Sequence, residues 1–127
     1  MILFLNEDEA TNSLEAVRTA LTIREKVKRI NQKSNSISEP LIINMGINSG
    51  RAYLGIAKFE SLTGCRCTYT ARGVVTNVAA RIGTLASEGT ILLSQSTAER
   101  VKHHFSLIPK GKFRLKNISK EVEVFSV

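Results

Sequence analysis

The sequence has no tryptophan, two tyrosines and five phenylalanines in 127 residues. No strand can therefore lay out the row of aromatic rings on which an RNA-recognition sheet stacks bases. It has two cysteines, Cys65 and Cys67, one residue apart. On a strand they point to one face, too close along the chain for an unstrained disulfide, and no nearby His or Cys completes a zinc set. Both are expected to be reduced packing residues. No stretch reaches the ~18 uninterrupted apolar residues of a membrane span. The opening run Met1 to Leu5 is too short for the core of a secretion signal and is followed by acids rather than preceded by bases. A cytoplasmic location is the expectation. Acids are also the minority, 11 against 18 basic residues, for a net charge of +7. That balance suits an anionic partner, whether a nucleotide, a nucleic acid or a phosphate-rich surface, without choosing among them.

What is present reads as one globular domain over residues 1–127, with 43% apolar and 23% charged residues, values that exclude disorder and collagen. Met1 to Leu5 has strand composition. Ala10, Leu14, Val17 and Leu21, continued by Ala20, Ile23, Val27 and Ile30, predict a helix over 10–31, with acids ahead of it and bases in its last turns. Gln32 to Pro40 is a polar loop. Leu41 to Asn48 reads as a buried strand, Ser49-Gly50 as a turn and Arg51 to Ala57 as its hairpin partner. Lys58 to Gly64 reads as a loop or arm and Cys65 to Thr70 as a strand. Val75, Val78, Ala79, Ile82 and Ala86 predict a helix over 75–87 that Gly89 ends. Thr90 to Ser94 is a strand, and Ser94 or Ser96 caps a third helix, Ser96 with Glu99 fitting a capping box. Phe105 to Ile108, Phe113 to Leu115 and Val122 to Val127 close the chain as strands around a turn at Lys110 to Lys112. The order implies an α+β sandwich with helices packed on a mostly antiparallel sheet.

The stretch Tyr69 to Arg81 carries the chemistry. At ~100° per residue Asn77 and Arg81 share a helix face roughly opposite Val75, Ala79, Ile82 and Ala86. Such a helix buries one side and offers an amide and a guanidinium on the other. Arg suits phosphate through its planar fork of donors, and Asn can orient a sugar oxygen. The same pair also fits an ordinary wet helix face. His103 and His104 are adjacent, project in different directions and read as surface residues. Tyr53, Phe59 and Phe105 read as packing.

The residues in order resemble a family. Ile43 to Gly55 resembles the paired-glycine hairpin of class III adenylate and guanylate cyclases. Tyr69 to Arg81 is similar to that family's run of an aromatic, a base-selecting residue, a Gly and Val-Asn-x-Ala-x-Arg. Ser87 to Thr97 is similar to the family's next helix end, strand and helix start. Gly111 to Lys116 and Val122 to Phe125 resemble its closing hairpin, so the likeness covers nearly the whole chain. It implies a ferredoxin-like nucleotidyl cyclase sandwich whose active site forms between two protomers or two homologous halves. Two aspartates of one side would hold two Mg or Mn ions on a nucleoside triphosphate, and the other side would supply Asn and Arg. The resemblance assigns Asn77 to orienting the ribose and Arg81 to the charge that develops on phosphate. It places Thr70 at the purine-reading position, where Thr goes with ATP more often than GTP, and Lys116 near the terminal phosphates.

The departures shape the rest of the expectation. The family's second metal-binding aspartate precedes the first strand by a few residues; here that strand begins at Met1, so both aspartates, and the base-contacting Lys, fall outside the chain. Asp8 comes after the strand and is not a substitute. The family's Gly-Asp-x-Val-Asn is Gly73-Val-Val-Thr-Asn77, and its Leu-Lys-Gly is Leu115-Lys116-Asn117. The chain is thus expected to be the carboxy-terminal two thirds of a cyclase domain, holding no metal by itself and inactive alone. The alternative is a non-catalytic module that dimerises or binds a partner. A basic nucleic-acid binder fits the charge but not the aromatic content, so no nucleic acid is expected.

Overall fold

The computed structural model describes residues 1–33 and 39–127. Among them are three helices, α1 (Glu9–Lys33), α2 (Val74–Leu85) and α3 (Gln95–Val101). The strands are β1 (Met45–Ile47), β2 (Tyr53–Ser61), β3 (Gly64–Arg72), β4 (Ile91–Ser94), β5 (Ile108–Phe113) and β6 (Val122–Ser126). Four strands form one sheet in the order β1-β4-β6-β5, with β1 parallel to β4 and the other pairs antiparallel. Strands β2 and β3 form a separate antiparallel ribbon. The α+β sandwich on a mostly antiparallel sheet is the architecture the sequence predicts. The predicted loop over Gln32 to Pro40 lies mostly outside the described residues.

Strand period explains the two cores. On β4, Ile91 and Leu93 point to one face and join Val17, Ala20 and Val101 of α1 and α3. Leu92 points to the other and joins Val78 and Ile82 of α2 and Ala86 just after it, with Val124 and Leu115. All four residues of β4 are buried, as expected for a strand with helices on both sides. Helix α1 starts at Asp8, whose carboxylate accepts from the Thr11 backbone N–H at 2.7 Å, an N-cap bond. Helix α3 starts at Ser94, whose hydroxyl accepts from the Thr97 N–H at 3.3 Å. The predicted Ser96–Glu99 box does not form, because Ser96 bonds to Asn48 and Ser49 while Glu99 accepts from Gln95.

Several predicted elements differ. Met1 to Leu5 is not a strand: it runs along a cavity beside α1 and β1 without a ladder. The segment around Leu41 to Asn48 does not pair with the next strand. Its only strand residues, 45–47, run parallel to β4, and β2 pairs instead with β3 over nine residue pairs, turning at Leu62-Thr63. The ladder closes instead at Leu62-Thr63, and the segment before Ser49 takes β4 as its partner. Ser49 is held elsewhere, its hydroxyl 2.9 Å from those of Ser13 on α1 and Thr97 on α3. Lys58 to Ser61 is strand rather than loop. Lys110 to Lys112 is not a turn but lies within β5, where a register shift between Pro109 and Gly111 marks a bulge. Tyr53, Phe59, Cys65 and Cys67 are exposed on the ribbon rather than packed, whereas Phe105 does pack against the α1/α3 core.

Helix α2 is seated on β1 by two glycines. A Cβ added at Gly46 would lie 2.2 Å from the Gly83 nitrogen and 2.5 Å from the Ala79 carbonyl oxygen. Only hydrogen at position 46 permits that approach.

Candidate functional site

The site is built where the ribbon runs into α2. Gly73 joins them with φ 130°, in a region that L side chains rarely adopt. The Thr76 hydroxyl donates to the Gly73 carbonyl at 2.9 Å, closing the first turn. No acidic residue stands in that turn, so nothing there offsets the positive end of the helix dipole. Val78, Ile82 and Ala86 face the sheet. Asn77 is exposed and Arg81 half-buried on the other side, one turn apart. Among the described residues neither side chain makes a hydrogen bond or ion pair, so an amide and a five-donor guanidinium project together from a helix held by its opposite face.

Thr70 lies on β3, three residues before Gly73 and half-buried. Its hydroxyl has one hydrogen bond among the described residues, to the Ala71 carbonyl at 3.5 Å, which is at the limit of a real bond. Its cross-strand neighbour is Gly55, beside which a Cβ would meet nothing within 4 Å. The surface around the hydroxyl is therefore open. Lys116 is exposed in the turn after β5. Its neighbour Leu115 is buried in the same cluster as Val78 and Ile82, against which Phe113 and Ile118 also pack. The structure thus brings Asn77 and Arg81 together, sets Thr70 at the entry to their helix, and leaves Lys116 one element away.

Two other features bear on the site. A cavity of about 560 Å³ takes Val75, Thr76 and Ala79 from α2 but neither Asn77 nor Arg81; it is a space behind the helix. Asn48, which sequence reasoning passed over as a strand end, donates from Nδ2 to the Val75 carbonyl at 2.9 Å. Its only sequence signal is an amide at the end of a mostly apolar strand.

The sequence profile of the adenylate and guanylate cyclase catalytic domain matches residues 1–127. The chain belongs to the adenylate and guanylate cyclase catalytic domain family. Among solved structures it is similar to the adenylyl cyclase CyaB from P. aeruginosa, with a TM-score of 0.81 and 29% identity over 96% of this chain and 61% of that one. It is also similar to the guanylate cyclase domain of RhGC from Catenaria anguillulae, solved in complex with GTP, with a TM-score of 0.78 and 23% identity over 98% of this chain and 64% of that one. A third is the catalytic core of a rhodopsin-guanylyl cyclase with converted specificity, solved in complex with ATPαS, with a TM-score of 0.75 and 23% identity over 98% of this chain and 64% of that one. The chain spans less than two thirds of the length of these relatives. No match was found among curated proteins.

Cyclase domains of this family use metal ions. Among the described residues of this chain, no group of three or more His, Cys, Asp or Glu side chains could hold one. Asp8 is occupied as the cap of α1: the Thr11 hydroxyl, then the Thr11 backbone N–H, hold its carboxyl below its ordinary value. No helix among the described residues is long and apolar enough to cross a membrane.

Proposed function

We propose that this cyclase-family chain is a single domain that supplies the transition-state side of a nucleotidyl cyclase site, with ATP rather than GTP as substrate. In that reaction the ribose 3′-hydroxyl oxygen bonds to the α-phosphorus. The bond from that phosphorus to the bridging oxygen breaks, pyrophosphate leaves with the electron pair, and the hydroxyl proton passes to solvent or a base. Asn77 orients the ribose, and Arg81 places its donors where negative charge builds on the α-phosphoryl oxygens. Thr70, whose hydroxyl both donates and accepts, reads the purine edge, and Lys116 meets charge on the leaving pyrophosphate.

The observation that carries this reading is the Asn77–Arg81 pair: outward, unpartnered among the described residues, and mounted on a helix locked to the sheet. Nucleotide complexes and an adenylyl cyclase among its structural relatives support the substrate class. The site is completed in a homodimer of a form that also carries the metal-binding carboxylates, or by a partner cyclase half that brings them, in the cytoplasm.

A second reading, a non-catalytic dimerisation or partner-binding module, is favoured by the ribbon, which exposes Tyr53, Ile56, Phe59, Leu62 and Tyr69. The deciding experiment measures cyclic AMP and cyclic GMP formed with manganese by this chain, and by the chain together with any sequence preceding it in its reading frame. Activity confined to the longer form and abolished by Arg81→Ala supports the first reading. Silence in both supports the second. Clear turnover by the 127-residue chain alone refutes the division of the site.

A further inference from the structure

From the bonding around the end of β1, we infer that Asn48 is a positioning residue for the Asn77–Arg81 face. This rests on reading that face as the one that meets substrate. The Asn48 amide is half-buried just after β1. Its Nδ2 donates to the Val75 carbonyl at 2.9 Å, and its Oδ1 accepts from the Ser96 hydroxyl at 3.1 Å. Among the described residues it is the one side chain outside α2 that hydrogen-bonds the backbone of α2. The place matters: Val75 lies in the first turn, two residues before Asn77. That turn has no side-chain cap, because its capping position is Gly73.

The far end of the clamp is a network of hydroxyls. The Ser96 hydroxyl has one proton, shared between Asn48 Oδ1 and the Ser49 carbonyl at 2.9 Å, and its oxygen is 2.9 Å from the Ser94 hydroxyl, and Ser94 caps α3. Ser49 in turn touches Ser13 of α1 and Thr97 of α3. The chain of hydroxyls therefore transmits the positions of α1 and α3 to the first turn of α2 through one amide. Farther along, α2 is held sterically, by Gly46 against Ala79 and Gly83. The steric seat sets the helix against the sheet, and Asn48 keeps its first turn, with Asn77, from lifting away. The position requires a donor toward a carbonyl and an acceptor toward a hydroxyl, which an amide combines and a carboxylate does not.

The test uses Asn48→Asp, which keeps the shape and the acceptor and removes the donor. Hydrogen exchange is read in the 127-residue chain, without nucleotide, and kinetics in the active form. The expected result is about tenfold faster exchange of the amides just after Val75 in α2, as one lost hydrogen bond gives, with β4 unchanged. It is joined by a fall in kcat of about tenfold to a hundredfold, as a misplaced group gives, with KM within about threefold. If Asn48→Asp does not fold, Ser96→Ala removes the other bond to the amide and is expected to show the same pattern at smaller size. Unchanged exchange overturns the inference. Faster exchange with unaltered kcat also overturns it, while leaving the cyclase reading intact. A wild-type protein silent in every form refutes that reading, and the Asn48 bond is then structural only.

Discussion

Replacing Gly46 by Ala should cost this protein stability out of proportion to one methyl group, and replacing Gly83 by Ala should not. The two glycines face each other, but the geometry is asymmetric. The Cβ of Gly46→Ala would sit 2.2 Å from the Gly83 nitrogen, 2.5 Å from the Ala79 oxygen and 2.7 Å from the Gly83 Cα, against an ordinary contact of 3.4 Å or more. All three atoms are backbone, so no side chain can rotate aside, and α2 must move off β1 by about an ångström. Overpacking of this kind costs about 1–3 kcal/mol, and backbone on both sides places it at the upper end. The stiffer unfolded chain gives back about 0.4–1 kcal/mol, leaving a loss of about 2 kcal/mol. For a chain of this length that lowers Tm by roughly 6–10 °C. The Cβ of Gly83→Ala would lie 3.5 Å from the Gly46 nitrogen and 3.8 Å from its Cα, which is normal contact, and Ala is a better helix former by about 1 kcal/mol. That variant should be neutral or more stable. Gly55→Ala, with nothing within 4 Å, is the control for substitution in a strand. Urea unfolding monitored by circular dichroism measures all three. A Gly46→Ala protein as stable as wild type, or Gly83→Ala as damaging as Gly46→Ala, would refute the argument that backbone contact at this point seats the helix.

Arg81→Ala should reduce kcat of the active cyclase form by about 10²–10³-fold. Arg81→Lys should recover only part of this, since an ammonium lacks the planar fork. Leu115→Ala, which opens the cluster between α2 and the Lys116 turn, should cost about 2–5 kcal/mol in urea unfolding. Asp8 has its folded-state carboxyl held down by Thr11. Its contribution to stability is therefore complete above the ordinary carboxylate range and disappears as pH falls through the lowered value. The stability difference between wild type and Asp8→Asn should shrink on acidification below pH about 4, and a difference that grows instead contradicts the cap. If the ribbon is where copies meet, Ile56→Lys with Phe59→Lys should shift sedimentation to monomer without lowering Tm by more than a few degrees.

The parts of this fold that could be read from sequence are those set by local period. The stripe Val75, Val78, Ala79, Ile82 and Ala86 specified α2, and Val78, Ile82 and Ala86 of it pack in one cluster whatever the sheet order. It also put Asn77 and Arg81 outward before any partner was known. The cyclase motif order then named the family that the profile match shows. Strand pairing was not legible in the same way. Strand composition shows that residues 45–47 belong in a sheet, but it says nothing of which edge they join. Their partner, β4, lies more than forty residues away and runs parallel. Ser49-Gly50 carries a turn signature, yet Ser49 is spent on hydroxyls of two helices. Lys110 to Lys112 has the composition of a turn, but Gly111 serves a bulge in β5. In each case the residue type was right for its backbone conformation, and a distant partner decided its use.

Asn48 shows why a site is harder to read than a fold. The residues proposed to face a substrate stand out by their own chemistry, as an Arg one turn after an Asn does against an apolar stripe. The residues that hold them in place are chosen for a relation, here an amide bridging a carbonyl 27 residues ahead and a hydroxyl 48 residues ahead. Nothing local distinguishes such an amide from any polar strand end. The short strand β1 makes the relation possible. Gly46 brings α2 to backbone contact, and two residues later the chain leaves the sheet beside that helix's first turn. A longer β1 would carry position 48 along the sheet and out of reach of Val75. The brevity of the strand, which looks like a defect beside the nine-pair ribbon, is what lets one segment both seat the helix and tether its first turn.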